Sequence, residues 1–179
     1  MTRPRVTCVD DVAPQRWRNG GGWTRELLAQ PAGENWRVRV SVADIEADGP
    51  FSSFPGVQRH FAVLQGAGVA LTIDGATFRV ERNGTPVQFA GGAATSCRLL
   101  DGPTRDLNLM VRGGPGALLP VEPGRPWIPT TSACGLFATS AGQCRNGDDT
   151  VRMPLLSFAW FAVAPAALMF DGAGWWLAA

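Results

Sequence analysis

The chain has 179 residues, 45% of them hydrophobic and 17% charged, with a formal net charge of +1. That balance supports a buried core and excludes a disordered chain. Near-neutral charge with no block of one sign also excludes the usual electrostatic footprint of a nucleic-acid or anionic-membrane binder, so neither partner is expected.

Gly supplies 22 residues and Pro 14, too many interruptions for long helices and well suited to short strands joined by turns. All 16 basic residues are Arg, so no side-chain amine exists for a Schiff base or a lysine general base. Cys8, Cys97, Cys134 and Cys144 form no Cys-x-x-Cys pair and fit no zinc module. The first ten residues carry no apolar signal segment, and a cytoplasmic protein with reduced thiols is expected.

In chain order, Arg5 to Val9 reads as a short edge strand. The stretch around which the chain is organised follows: Arg16, Trp17, Arg18, Asn19, Gly20, Gly21, Gly22, Trp23, Thr24, Arg25, Glu26. Three glycines permit a sharp turn and a close approach of backbone N–H groups to a ligand, although glycine runs mark plain turns just as often. Neither a phosphate loop nor a dinucleotide fingerprint is present. Thr24, Glu26 and Leu28 then alternate with Arg25 and Leu27, the period of a strand.

Pro31 to Asn35 is a turn. From Trp36 the pattern places Trp36, Val38, Val40 and Val42 on one face of a strand and Arg37, Arg39, Ser41 and Ala43 on the other. Asp48-Gly49-Pro50 ends it, and Phe51 to Gly56 forms a loop. Short strands are expected at 61–64, 69–73, 76–80, 87–89 and 96–100, with Asp74-Gly75 as a hairpin turn. From 106 to 111, Leu107, Leu109 and Val111 oppose Asp106, Asn108 and Met110. Gly113 to Gly116 marks a boundary, giving units of 1–113 and 114–179. Residues 151–163 fit a strand pair or a short helix equally.

The expected fold is all-β, a barrel or sandwich. A barrel with polar side chains on its inner face holds a pocket, and Arg39, Ser41, Asp106 and Asn108 are the natural lining.

Four segments resemble the HutD/Ves family of bacterial proteins. They are Trp17-x-Asn19-Gly20-Gly21-Gly22-x-Thr24-x-Glu26; Arg39-x-Ser41-x-Ala43-x-Ile45 running into Asp48-Gly49-Pro50-Phe51-Ser52; Phe54-Pro55-Gly56-x-x-Arg59; and Asp106-x-Asn108-x-Met110. The chain differs at Val38, where the family usually has an aromatic residue, and at Gln58, where Asp is common. The resemblance implies a cupin-like double-stranded β-barrel in a bicupin-like arrangement, with the motif residues gathered at the pocket of the first barrel. It also implies a link to histidine utilisation or stress response. The suggested ligand type is a small carboxylate from histidine breakdown, such as formylglutamate or urocanate, and no reaction is established for the family.

The residues can be weighed for chemistry independently. A single His, His60, is too few for a metal cupin, and no cofactor is expected. No nucleophile elbow supports a serine triad. Arg39 and Arg59 offer planar, permanently charged forks for a carboxylate, with Asn19, Thr24, Ser41 and Asn108 as polar partners and Gly21 and Gly22 as backbone donors. The structural alternative pairs the two arginines with Glu26 and Asp106. Trp17, Trp23, Phe51 and Phe54 serve as a pocket lip or as core. Three readings follow: a metal-free carboxylate-binding protein with a regulatory or accessory role, a cofactor-independent isomerase or hydrolase using Glu26 or Asp106, and a structural protein whose second barrel makes a homodimer.

Overall fold

A computed structural model describes residues 4–179. The strands are β1 (Val6–Cys8), β2 (Gln15–Arg16), β3 (Gly22–Gln30), β4 (Val38–Ile45), β5 (Gly49–Pro50), β6 (Val57–Gln65), β7 (Val69–Ile73), β8 (Ala76–Val80), β9 (Val87–Ala90), β10 (Thr95–Leu99) and β11 (Thr104–Arg112). They continue as β12 (Ala117–Pro120), β13 (Pro126–Trp127), β14 (Cys134–Ala138), β15 (Gly142–Asn146), β16 (Asp149–Met153), β17 (Ser157–Phe161), β18 (Leu168–Phe170) and β19 (Gly174–Ala178). The one helical element among the described residues is a single 3-10 turn, Val9–Asp11. No helix there is long and apolar enough to cross a membrane. The fold is all-β and cupin-like, with two β units in one chain.

One unit is Ala13–Gly116. Its six-stranded sheet runs β2-β3-β4-β11-β6-β9 and its four-stranded sheet runs β5-β10-β7-β8. Between them lies a core of Ala43, Ile45, Phe61, Val63, Val69, Leu71, Val80, Phe89 and Cys97. The alternation that marks β4 and β11 has the expected consequence: Val40, Val42, Leu107 and Leu109 are buried on one face, while Arg39, Ser41 and Asn108 turn to the other.

The second unit joins residues 4–12 with Ala117–Ala179. Its sheets run β1-β17-β14-β19-β12 and β13-β18-β15-β16. Hydrocarbon fills it: Leu136, Met153, Phe161, Leu168, Phe170 and Trp176 belong to one buried cluster. Residues 151–163 resolve as a strand pair rather than a helix, because Leu156 takes a left-handed backbone angle (φ 51°) in the turn between β16 and β17.

Three local expectations are corrected. The sequence places everything up to 113 in one unit, but β1 pairs antiparallel with β17, Val6 opposite Ala159, so residues 4–12 belong to the second unit. Trp36 does not continue the β4 alternation. It precedes the strand, and Trp36 packs with Val57 and Met110 on the polar face. In β3 the register shifts between Glu26 and Leu28, and this bulge turns Leu28 away from the face that carries Thr24 and Glu26.

Candidate functional site

Sheet register assembles the site. On the inner face of the six-stranded sheet, Glu26, Ser41, Asn108 and Phe61 form one transverse row. The adjacent row is Arg39, Met110, Arg59 and Phe89. Directly opposed residues in antiparallel strands share a face, so four sequence segments far apart in the chain present their polar side chains together. They open into a cavity of about 980 Å³ lined by these rows except Phe89, by the loops after β2 and β3, and by Phe51, Ser52 and Phe54.

Arg59 is the deepest charge. It is 5% exposed, and its guanidinium lies 4.9 Å from the centre of Phe51, 5.1 Å from Phe89 and 5.8 Å from Phe54. Nη2 donates to Asn108 Oδ1 at 3.0 Å and Nη1 to the Ser52 carbonyl at 3.4 Å, while buried Nε has no hydrogen-bond partner. Among the described residues no carboxylate pairs with it. Burial, and then the charge of Arg39, push its pKa down to about 10. The aromatic faces offset part of that desolvation by cation–π attraction. Because Asn108 points its oxygen at Arg59, its amide nitrogen is left to donate elsewhere.

Arg39 differs. Its Nε donates to Glu26 Oε2 at 2.7 Å, and the side chains are 18% and 40% exposed respectively. Half of the expected structural network therefore forms, Arg39 with Glu26. The other half does not, because Asp106 contacts Thr104 instead: Thr104 Oγ1 donates to Asp106 Oδ2 at 2.8 Å.

Asp106 shares a row with Thr24, Ala43 and Val63 but sits beneath the cavity wall, fully buried, and does not line the cavity. Burial raises its pKa to about 8, against the lowering effect of the Thr104 hydrogen bond and with a smaller push from Asp44.

The glycine loop closes the β2–β3 hairpin and spends its donors internally. Gly20 N–H bonds the Trp17 carbonyl, and Gly21 N–H bonds Asn19 Oδ1 at 3.0 Å. The Gly21 carbonyl accepts from Glu46 and Ala47. Gly22 is required by space, since a Cβ there would lie 2.4 Å from the Asp44 carbonyl oxygen. Gly21 and Gly22 thus shape the wall without facing the cavity, contrary to their expected role as ligand donors. Asn19 and Thr24 do line it. Thr24 Oγ1 accepts from Trp17 Nε1 at 2.7 Å, which holds that indole edge-on to Phe51.

Of the ten residues expected at the site, the fold brings Asn19, Thr24, Glu26, Arg39, Ser41, Arg59 and Asn108 to one cavity and leaves Gly21, Gly22 and Asp106 behind it. Trp17, Phe51 and Phe54 line the cavity, whereas Trp23 faces away and carries Arg16 over its ring at 4.8 Å. Trp36, Met110 and Phe89 were missed as site residues. Met110 stood in a quoted motif, but Phe89 is tied to Arg59 by register alone and has no local signal.

His60 lies on the reverse of β6, buried, its pKa lowered to about 4 by desolvation. Among the described residues no three His, Cys, Asp or Glu side chains are grouped to hold a metal.

Comparison with known proteins places this arrangement. An uncharacterised 21.2 kDa protein from the hutC 3′ region of Pseudomonas putida is 39% identical over 114 residues, 62% of this chain and 59% of that one. Protein Ves of Citrobacter koseri is 39% identical over 99 residues, 54% of this chain and 51% of that one. The match therefore spans somewhat over half the length of these curated relatives. Among solved structures, a conserved protein of unknown function from Pseudomonas aeruginosa PAO1 superposes with a TM-score of 0.85 at 26% identity, covering 98% of this chain and 97% of that one. HutD from Pseudomonas fluorescens SBW25, in a formate condition, gives 0.83 at 29%, with the same coverage. Oxalate decarboxylase of Bacillus subtilis, at 13% identity and a TM-score of 0.65 over 96% of this chain and 75% of that one, shares the fold alone. The HutD family model matches residues 9–118, a stretch that contains the whole cavity lining, and the chain belongs to the HutD family.

Proposed function

We propose that this chain is a metal-free, cupin-like binding protein that captures a small carboxylate metabolite and acts in a regulatory or accessory role in histidine utilisation. The observation that carries the reading is Arg59, a buried guanidinium that opens onto a large cavity and, among the described residues, is paired with no carboxylate. An uncompensated buried charge is costly unless a partner is supplied, and a ligand carboxylate would supply it with charge-assisted hydrogen bonds from Arg59 and from the free amide nitrogen of Asn108. The three phenyl rings exclude water and strengthen that attraction. The link to histidine utilisation rests on the family and on the hut-region origin of one relative. Ligand binding would hold together strands β6 and β11, which is a route by which a metabolite signal reaches the rest of the unit.

Thermal unfolding in the presence of urocanate, formylglutamate and formate tests the proposal. At a ligand concentration a hundredfold above its dissociation constant, stabilisation of about 2.7 kcal/mol is expected. Arg59→Met should fold and lose that stabilisation. No stabilisation by any of the acids, or equal stabilisation of Arg59→Met, overturns the reading.

A further inference from the structure

Four arginines line the cavity, Arg16, Arg18, Arg39 and Arg59; the two on β4 and β6, Arg39 and Arg59, are not equivalent, and the difference lies in Glu26. Arg39 and Arg59 stand in one row on either side of Met110, with backbones roughly 10 Å apart by strand spacing. Both side chains reach into the same space. Arg59 has no carboxylate; Arg39 holds Glu26 at 2.7 Å. With Glu26 in place the face made by β4, β11 and β6 offers one uncompensated cation, and without it that face would offer two, facing one another across a gap that a short dicarboxylate can bridge.

We propose that Glu26 sets what a second ligand carboxylate gains in this cavity: by neutralising Arg39 it leaves a dicarboxylate with no advantage over a monocarboxylate. The inference rests on the carboxylate-binding reading above. Glu26 takes the Nε of Arg39, and a second ligand carboxylate, whether at the remaining Nη groups or in place of Glu26, would lie beside Glu26, a like charge in a partly enclosed space. Its net gain is therefore small. Nothing in the backbone prevents exchange, since Glu26 is 40% exposed and its β3 bulge already aims it at the cavity. The control is thus electrostatic, not steric, and a single neutralising change lifts it.

Calorimetric titration with butyrate and glutarate tests this on the wild-type chain, Glu26→Gln and the double variant Arg39→Met/Glu26→Gln. The wild-type chain should bind the two acids within about threefold of each other, and Glu26→Gln should tighten glutarate relative to butyrate by about tenfold or more. The double variant should lose that gain, which assigns it to Arg39. If Glu26→Gln does not fold, Glu26→Ala is read in the same way. A wild-type preference for glutarate of tenfold or more, or an unchanged ratio in the variant, overturns the inference while leaving carboxylate binding intact. Failure of both acids to bind any of the three proteins overturns both readings together.

Discussion

At Arg59 the fold surrounds a guanidinium with three phenyl rings and offers it the amide oxygen of Asn108, where an aspartate in the same place would cancel its charge. Asn108→Asp should therefore raise the stability of the ligand-free protein by about 1–3 kcal/mol, as a buried charge gains its partner, and should abolish carboxylate binding. Chemical denaturation and titration read the two effects separately. Two other buried groups set a pH signature. Asp106 has a folded pKa near 8, raised from 3.8, so its contribution is full below about pH 4 and is lost as pH rises to 8. His60 has a folded pKa near 4, lowered from 6.5, so its contribution is full above 6.5 and is lost as pH falls to 4. Between 4 and 6.5 the two slopes oppose, each about 1.4 kcal/mol per pH unit, and stability should be flat, then fall from 6.5 to 8. Asp106→Asn removes one slope: stability should rise from pH 4 to 6.5, stay level above it, and exceed the wild-type value at pH 7 by about 2–4 kcal/mol. Arg39 and Arg59 were legible as inward-facing cations from residue type and spacing. That one is matched by Glu26 and the other is unmatched was not, because Asp106 reads as an inward polar residue, and the register that sets it opposite Val63, two rows along β11 from Arg59, has no local signal.

Among the elements, β4 and β11 were readable because period-two alternation survives wherever one face is polar. The β3 bulge was not, since an extra residue leaves no mark in composition. Trp36 misled because alternation continues on paper past the point where β4 begins. The glycine loop divides in the same way. Its turn was legible, but the reason for each glycine was not: Gly20 takes a positive φ of 74°, and Gly22 avoids the Asp44 carbonyl. Gly22→Ala should cost about 1–3 kcal/mol or more by forcing β3 from β4. Gly21→Ala, whose nearest contact would be the Asn19 side chain at 3.4 Å, should cost about 1 kcal/mol or less. Comparative melting of the two variants checks the contrast.

Over the whole molecule, the all-β class and a boundary near residue 113 follow from turn residues and short apolar runs. The assignment of the first strand did not, because β1 meets β17 across some 150 residues, and such pairing has no local cause. The two units share an architecture and divide its uses: one interior is packed with hydrocarbon, while the other keeps Arg59, Arg39 and Asn108 around an open cavity. The most direct test is a crystal soaked with urocanate or formate. The account predicts a carboxylate within hydrogen-bond distance of both the Arg59 guanidinium and the Asn108 amide nitrogen. A carboxylate that occupies the cavity without touching Arg59, or that binds only elsewhere on the chain, would contradict it.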